Sequence, residues 1–414
     1  MNQQNKLTRT IINESNLKDF AKAEAIAYTS EPTKYYIERL EKLADPKRAI
    51  ALSNGDKIIG TANSFSEVIS LPGNKSANVS AVSYVSVQPT HRRQGILSEM
   101  MNIQLNEFYS KYKEPLAILW PSETAIYGRF GYAPTHEKHY EIAKKDVQFI
   151  PSVVNKNFEA KFLDKKEAIK LFTDLNNELM KSRPGVMKLT QKWAERRIND
   201  LIVHHLGTGP SYFVGIYNHD NPVGFVTYTI ENSSEDGGNM PASLHIWDIM
   251  YLNIDAAIKL WDFCLNIDLV EIIYAKGVPA DDILESIIMS PGNLNSRITT
   301  GLWIRIVNVI EALKSRKYNK KGKMIFKLKD SIINENNNTF LLDTESENST
   351  ICTTSNESPD IEITINGLSE MYLGTFNLNN LIASKNIKII NTNKINFIND
   401  AFRENITPFC PMHF

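Results

Sequence analysis

At 414 residues the chain is long for one hydrophobic core, so two or three domains are expected. Its 42% hydrophobic and 22% charged residues are ordinary for a globular protein, and a net charge of −1 offers no basic excess for nucleic acid or an anionic membrane. Three cysteines form no disulfide framework, no segment approaches the roughly 18 apolar residues of a membrane helix, and residues 1–10 lack an apolar signal core, which predicts a cytoplasmic protein.

The first predicted elements are two helices and a hairpin. Residues 16–28 and 33–43 have helical patterns, and the second helix opens just after Pro32. Short strands at 48–52 and 57–64 flank Asn54-Gly55, a dipeptide that is typical of tight hairpin turns.

The strongest local signal lies between residues 80 and 112. Val85-Ser86-Val87 ends a strand, Gln88-Pro89-Thr90 is a turn, and a patterned amphipathic helix follows Gly95. The first N–H groups of a helix lack intrahelical partners, Gly95 allows close approach to the backbone, and Arg92 and Arg93 add fixed charge. The pattern predicts a phosphate-binding loop, although an arginine pair that merely caps a surface helix would have the same sequence.

The rest of this segment predicts a short buried strand at 116–120, a short helix at Tyr127 and a last strand at 140–143. Together these elements make an α/β domain with a mixed sheet that ends near residue 150.

From residue 151 the order of predicted elements starts again. Helices are predicted at 165–179 and 189–201, hairpin strands at 212–217 and 222–230, a strand at 244–251 and a helix at 254–265. Each hairpin carries a glycine inside its second strand, Gly60 in the first segment and Gly224 in the second. The following turn is Tyr251-Leu252-Asn253, with no arginine pair and no glycine. Residues 151–290 are therefore expected to repeat the fold without binding phosphate.

Pro291-Gly292 marks the start of a third segment, residues 291–414. A strand-like connector at 301–309 and a helix at 310–318 come first. Residues 331–360 are rich in Asn, Ser, Thr and Glu, but strand patterns at 339–342 and 361–365 favour hairpin loops over disorder. Short helices at 381–383 and 395–401 flank an extended stretch at 387–390.

Two motifs resemble one protein family. Arg92-x-x-Gly95-x-Leu97 after a V-x-V strand is similar to the pyrophosphate loop of the GNAT acetyltransferases, with Leu97 where a small residue is common. Ile126-Tyr127-Gly128-Arg129-Phe130-Gly131-Tyr132 and the aromatic end, Phe414, resemble the Eis (enhanced intracellular survival) N-acetyltransferases. The resemblance covers the whole chain. It implies an α/β (α+β) protein with two tandem GNAT-like domains, 1–150 and a degenerate 151–290, and a sterol-carrier-protein-like domain at 291–414.

The resemblance implies acetyl-CoA as co-substrate and no metal. Val85, Ser86 and Val87 would hold its amide arm like an added strand, and a backbone N–H there would face the thioester oxygen. The residues matched to the pyrophosphate loop are Arg92, Arg93, Gln94, Gly95, Ile96, Leu97 and Ser98. Ser122 and Glu123 match further cofactor contacts, although Glu123 is equally explained as an acid at a helix start.

Tyr127 suits the general acid, because a phenol with a reference pKa near 10 is protonated at neutral pH while a thiol titrates near 8.5. That transfer is uphill by about 1.5 pKa units, so the site would have to lower the pKa of the phenol or drive the step by product release. Flanking Gly128 and Gly131 would allow close approach. The resemblance assigns the general base to the terminal carboxylate of Phe414.

An apolar stretch from Pro408 to Phe414 favours a packed chain end, which supports that assignment. His139, Glu123 and His413 remain alternative bases.

The acceptors implied by the resemblance are primary amines, with aminoglycosides first and lysine side chains, peptides or polyamines as alternatives. Tyr28, Tyr35 and Tyr36 would line the acceptor pocket or simply pack in the core. His413 stands where an acidic residue would help to hold a polyamine. The family implies a homo-oligomer, a hexamer, whereas a non-catalytic acyl-CoA- or lipid-binding module is the competing hypothesis.

Overall fold

The computed structural model describes residues 7–153, 158–204, 209–232, 242–346 and 349–414. The strands are β1 Thr8–Thr10, β2 Ile50–Asn54, β3 Lys57–Leu71, β4 Lys75–Val87, β5 Leu116–Leu119, β6 Ala133–Ala143, β7 Phe158–Phe162, β8 Ser211–Asn218, β9 Asn221–Glu231, β10 Ala242–Tyr251, β11 Val270–Pro279, β12 Arg297–Ile306, β13 Lys323–Lys329, β14 Thr339–Asp343, β15 Ile351–Thr354, β16 Ile361–Thr364 and β17 Ile387–Ile389. The helices are α1 Leu17–Ala27, α2 Lys34–Leu43, α3 Ile96–Glu107, α4 Thr124–Tyr127, α5 Lys165–Leu179, α6 Gln191–His204, α7 Ile254–Leu265, α8 Leu284–Ile287, α9 Val309–Ser315, α10 Ile365–Tyr372, α11 Leu378–Ala383 and α12 Ile395–Phe402.

Twelve of the described strands form one mixed sheet in the order β1-β2-β3-β4-β5-β12-β6-β11-β10-β9-β8-β7. The two ends of this order repeat each other, since an antiparallel hairpin is followed in each by a strand with a parallel partner, β4 with β5 and β10 with β11. The predicted fold class of two GNAT-like units with mixed sheets is confirmed.

The hairpin glycines explain how closely the helices pack in both units. A Cβ atom on Gly60 would lie 2.7 Å from Ile96 Cγ2 of α3, and one on Gly224 would lie 3.1 Å from Leu260 Cδ1 of α7. In each unit the missing side chain therefore lets the helix after the third strand settle against the sheet.

The last part of the chain has its own sheet, in the order β15-β14-β13-β16-β17. The strand β12 differs from expectation, because residues 297–306 lie beyond the predicted boundary at 290 yet pair with β5 and β6 of the large sheet. The Arg305 side chain of this strand forms a fully buried ion pair with Asp330, with 2.8 Å between Nη2 and Oδ1. The strand pairing thus places the start of the third segment in the large sheet, and the ion pair links that sheet to the residue after β13.

Candidate functional site

A cleft opens where β4 and β5 separate. The two strands pair in parallel only from Val79 to Val82 on β4. Directly after this, Ser83 pairs with Asn63 and Ser86 with Thr61, so that two residues of β4 bulge opposite one residue of β3. Tyr84 in the bulge has a left-handed backbone, with φ of 54°. A bulge bends its strand, and here it leaves the edge of β4 facing a cavity.

This donor cleft has a volume of about 920 Å³. Of the predicted cofactor residues it is lined by Val85, Ser86, Val87, Arg92, Arg93, Gly95, Ile96, Leu97, Ser98, Ser122 and Glu123, together with Tyr127. Gln94 is exposed and is not part of the lining. The strand, the basic loop and the segment after β5 are thus brought together in one cavity.

The loop before α3 presents open backbone groups to the cleft. Gly95 occupies the N-cap position with φ of 83°, and no side chain caps the helix there. Arg93 also has a left-handed backbone, with φ of 62°. Arg92 Nη2 donates to the carbonyl oxygen of Ala27 at 3.2 Å, which ties this arginine to the end of α1. The uncapped amides and the two arginines suit a phosphate group.

Tyr127 is the last residue of α4 and is only 4% exposed. Burial, and then the nearby Tyr28 and Glu123, raise the pKa of the Tyr127 phenol above its ordinary value of about 10. The sequence left open whether the site lowers this pKa, and the burial of the phenol favours a raised pKa instead. The phenol is firmly protonated before any ligand binds.

The two glycines beside Tyr127 differ in their surroundings. A Cβ atom on Gly131 would lie 2.8 Å from Arg305 Nε and 2.8 Å from Ile365 Cγ2, so this glycine allows close packing against β12 and α10. Gly128 has open space around its Cα. The expected close approach at Gly131 therefore serves the fold and not the cleft.

A second cavity has a volume of about 400 Å³ and is named the acceptor pocket for the role that the sequence resemblance implies. It shares Tyr28, Val85 and Tyr127 with the donor cleft, and the Tyr28 hydroxyl donates to the Val85 carbonyl oxygen at 2.9 Å. Its other lining residues are Glu24, Ala25, Ser30, Tyr36, Arg39, Val82, Ser83, Tyr84, Leu119, Trp120, Arg196 and Phe414. The two cavities meet beside Tyr127. Of the three tyrosines considered from the sequence, Tyr28 and Tyr36 line the pocket.

The chain end packs into the acceptor side. Phe414 is 9% exposed and lines the pocket with Tyr127. Trp120 Nε1 donates to the Met412 carbonyl oxygen at 3.0 Å, and Arg196 Nη1 donates to that of His413 at 3.1 Å. The His413 ring stacks on Trp120 with 3.8 Å between the ring centres. These contacts hold the last three residues in place.

The three alternative bases do not share one location. Glu123 is exposed at the donor cleft. His413 is exposed, and its ring stacks on Trp120 beside the acceptor pocket. His139 lines neither cavity, and its Nε2 lies 3.1 Å from Glu137 Oε1 and 3.1 Å from Thr299 Oγ1.

Several charged or aromatic residues of the acceptor pocket carry no signal in the sequence that marks them as site residues. Glu24 is 6% exposed, burial raises the pKa of its carboxyl group, and the Tyr36 hydroxyl donates to it. Glu24 stands four positions before Tyr28 on α1, and Arg39 three positions after Tyr36 on α2, so helical spacing could have grouped them. Arg196 lies on α6 of the second unit, and only the tertiary fold shows that it lines this pocket.

Comparisons with known proteins match this layout. Residues 10–135 and 185–306 each match a family described as an acetyltransferase (GNAT) domain, and residues 309–411 match one described as a sterol carrier protein domain. An uncharacterized N-acetyltransferase of Streptomyces avermitilis is 27% identical over 91% of this chain and 92% of its own. The N-acetyltransferase Eis of Mycobacterium tuberculosis is 22% identical over 85% of each chain. The chain is therefore an N-acetyltransferase with two GNAT domains, and it is similar to the Eis proteins over most of its length.

Solved structures agree on the fold. Eis1 from Mycobacterium abscessus superposes with a TM-score of 0.83 at 20% identity, over 99% of this chain and all of that one. A GCN5-related N-acetyltransferase from Anabaena variabilis gives 0.82 at 18% identity with the same coverage. As an Eis-like N-acetyltransferase the chain is an enzyme, and GNAT enzymes use acetyl-CoA and an amine acceptor. Within the described residues no helix is long and apolar enough to cross a membrane.

Proposed function

We propose that this Eis-like enzyme transfers an acetyl group directly from acetyl-CoA to a primary amine. The observation that carries the proposal is the meeting of a donor-sized cleft and a smaller pocket at Tyr28, Val85 and Tyr127. Two substrates that enter from the two sides would bring thioester and amine together beside one buried phenol. Such positioning supplies much of the rate of a two-substrate reaction.

The donor would bind along the residues that line its cleft. The edge of β4 at Val85, Ser86 and Val87 offers backbone groups to the amide arm of the cofactor, and one N–H there would stabilise the oxyanion. The loop from Arg92 to Ser98 would take the pyrophosphate, with Ser122 and Glu123 on the opposite side. The residues present fit a ligand with two phosphate charges and a long amide arm.

The protons would move between two groups. The amine nitrogen forms a bond to the acetyl carbon and the C–S bond breaks, while the thiolate takes the proton of Tyr127 and the amine loses one to the Phe414 carboxylate. Because burial raises the pKa of Tyr127, this proton leaves only as negative charge develops on the sulfur next to it. Release of the thiol product would then shift the equilibrium of this proton transfer toward products. The base could act through a water molecule.

The finer predictions concern the acceptor and the assembly. Aminoglycosides are the acceptors implied by the resemblance and are the first to test, with peptide, lysine and polyamine amines as alternatives. The resemblance also implies a homohexamer, and light scattering of the purified chain measures the subunit number. The cysteine content and the polar N-terminal residues predict a cytoplasmic location.

The test is intact-mass analysis of an aminoglycoside after incubation with the untagged protein and acetyl-CoA. One or more added acetyl groups are expected, and the Tyr127→Phe variant serves as the matched control. A protein that binds acetyl-CoA in a thermal-shift assay, yet acetylates no amine in a broad panel, would favour the non-catalytic binding module instead.

A further inference from the structure

The acceptor pocket contains two arginines that share one counter-ion. Arg39 of α2 and Arg196 of α6 both line the pocket, and their side chains are 16% and 15% exposed. Arg39 Nη1 lies 2.9 Å from Asp200 Oδ2, and Arg196 Nε lies 3.3 Å from the same oxygen atom. Two largely buried guanidinium groups therefore converge on a single carboxylate oxygen.

This arrangement places two cations at the pocket wall beside one shared carboxylate. Burial lowers the pKa of Arg196, and the neighbouring Arg39 acts in the same direction, while Tyr84 and Asp200 oppose them. Two further acids belong to the pocket wall: Glu24, which is bonded to Tyr36 and has a raised pKa, and the Phe414 carboxylate, which is reserved for the amine as the proposed base. Desolvated cations are costly unless an anion pairs with them.

Both guanidinium groups are held in orientation by aromatic rings. Arg39 lies over the ring of Tyr36 at 5.2 Å, and Arg196 lies over the ring of Trp193 at 5.2 Å. Arg196 is further fixed by its hydrogen bond to the His413 carbonyl oxygen. Planar groups fixed in this way can recognise a carboxylate or a phosphate with little loss of side-chain entropy.

We infer that the preferred acceptor is a primary amine that also carries an anionic group, a carboxylate or a phosphate, which binds between Arg39 and Arg196 while the amine points to Tyr127. This inference rests on the proposed function and names the substrate class of the same site. A polycation would place its ammonium groups against the two arginines. Aminoglycosides and polyamines are therefore expected to be poorer acceptors than amines of this zwitterionic class.

Pairs of acceptors that differ only in the anionic group provide the test. Comparing lysine with cadaverine tests a carboxylate, and comparing phosphoethanolamine with ethanolamine tests a phosphate. The anionic member of at least one pair should have a kcat/KM about tenfold or more higher, the effect of one good charge-assisted hydrogen bond. The pair with the larger ratio of kcat/KM identifies whether the pocket prefers a carboxylate or a phosphate.

Variants locate the preference within the pocket. Arg39→Gln and Arg196→Gln should each raise KM for the anionic acceptor about tenfold and bring the ratio of kcat/KM between the two members of its pair close to one. Arg39→Lys keeps the charge and should retain part of the preference. Lys34→Gln on α2 and Lys192→Gln on α6, both at exposed positions outside the pocket lining, are the matched controls.

Calorimetric binding of the same acceptor pairs to the CoA-loaded protein gives a readout that does not depend on turnover. Equal kcat/KM and equal affinity within both pairs would overturn the inference while leaving acetyl transfer intact. A preference for the members that lack the anionic group would do the same. No acetylation of any amine would instead defeat the proposed function, and the affinities would still decide the question of the anionic group.

Discussion

The two strand–turn–helix units of this chain, β4 to α3 and β10 to α7, share their construction. In each, parallel pairing stops at a bulge in the first strand, after Val82 in β4 and after Ile246 in β10. In each, a helix follows the strand and packs over a glycine of the preceding hairpin. The geometry that opens a cleft is therefore present twice.

The two helix starts differ in what they leave open. Gly95 caps α3 without a side chain, whereas Asn253 caps α7 and its side chain accepts a hydrogen bond from the Ala256 N–H at 2.9 Å. One residue thus decides whether the first amides of the helix are available to an anion. The arginines of the first loop have no counterparts in Tyr251-Leu252-Asn253.

The region after the parallel strand differs as well. Asp282 follows β11 as Ser122 and Glu123 follow β5, but it is 4% exposed and fully engaged. It accepts hydrogen bonds from Tyr251 at 2.8 Å, from Tyr140 at 3.3 Å and from Trp261 at 3.3 Å. Side chains of three elements converge where the first unit has open lining. The comparison teaches that internal hydrogen bonds can occupy, in one unit, the position that the other unit leaves open as a cleft.

The largest effect is expected at the chain end, which packs against the first unit. Deleting Phe414, or extending the chain beyond it, should lower kcat about 1000-fold because the proposed base is lost or displaced. Acetyl-CoA binding, measured by thermal shift, should persist. The matched control is the same extension at the N-terminus, and full activity of the C-terminally extended protein would move the base to an internal residue.

The comparison assigns different roles to two tyrosines, the buried Tyr127 of the first unit and the half-buried Tyr251 of the second. Tyr127→Phe should lower kcat about 100-fold with little change in KM for acetyl-CoA, since only the proton donor is removed. Tyr251→Phe should leave kcat unchanged and destabilise the fold by about 1 kcal/mol through its lost hydrogen bond to Asp282. An equal loss of kcat in both variants would show that the two tyrosines do not differ in role.

The pH profile checks the same phenol. Burial raises the pKa of Tyr127, so the protonated, proton-donating form persists to higher pH than for a free tyrosine. As the pH is raised, the rate should therefore not decline before a pH of about 10, where an unperturbed phenol would already be half ionised. A fall near pH 8 or 9 that is absent in the Tyr127→Phe variant would contradict the raised pKa.

Local sequence patterns correctly predicted the helices and turns that depend on neighbouring residues. The Asn54-Gly55 hairpin, the helices at 165–179 and 254–265 and the strand–loop–helix unit at Gly95 lie where sequence periodicity and turn residues place them. The strand β12 does not, because its position between β5 and β6 depends on pairing with strands more than 150 residues away.

The same limit applies to the site. The donor cleft is formed by contiguous stretches of the first unit, and its predicted residues, apart from Gln94, line one cavity. The acceptor pocket takes Arg196 from the second unit and Phe414 from the chain end, and no periodicity links these residues to Glu24 or Arg39.

Arg92 provides a smaller test of the difference between the loops. Arg92→Gln should raise KM for acetyl-CoA about tenfold, the loss of one charge-assisted contact to phosphate, and leave kcat at saturating donor nearly unchanged. Lys259→Gln on α7 removes a cation from the corresponding helix of the second unit and is the control. An equal rise in KM in the control would mean that the second unit also binds the donor.

The smallest effect is expected at the second helix start, where only stability is at stake. Asn253→Ala removes the side chain that caps α7 and should lower the free energy of unfolding by about 1 kcal/mol, as measured by urea denaturation. Asn253→Ser keeps a capping oxygen and should recover most of that loss. KM for acetyl-CoA should not change in either variant, because the amides of α7 then face water and have no arginine pair beside them. A variant that gained donor binding at α7 would show that the cap alone separates the two units.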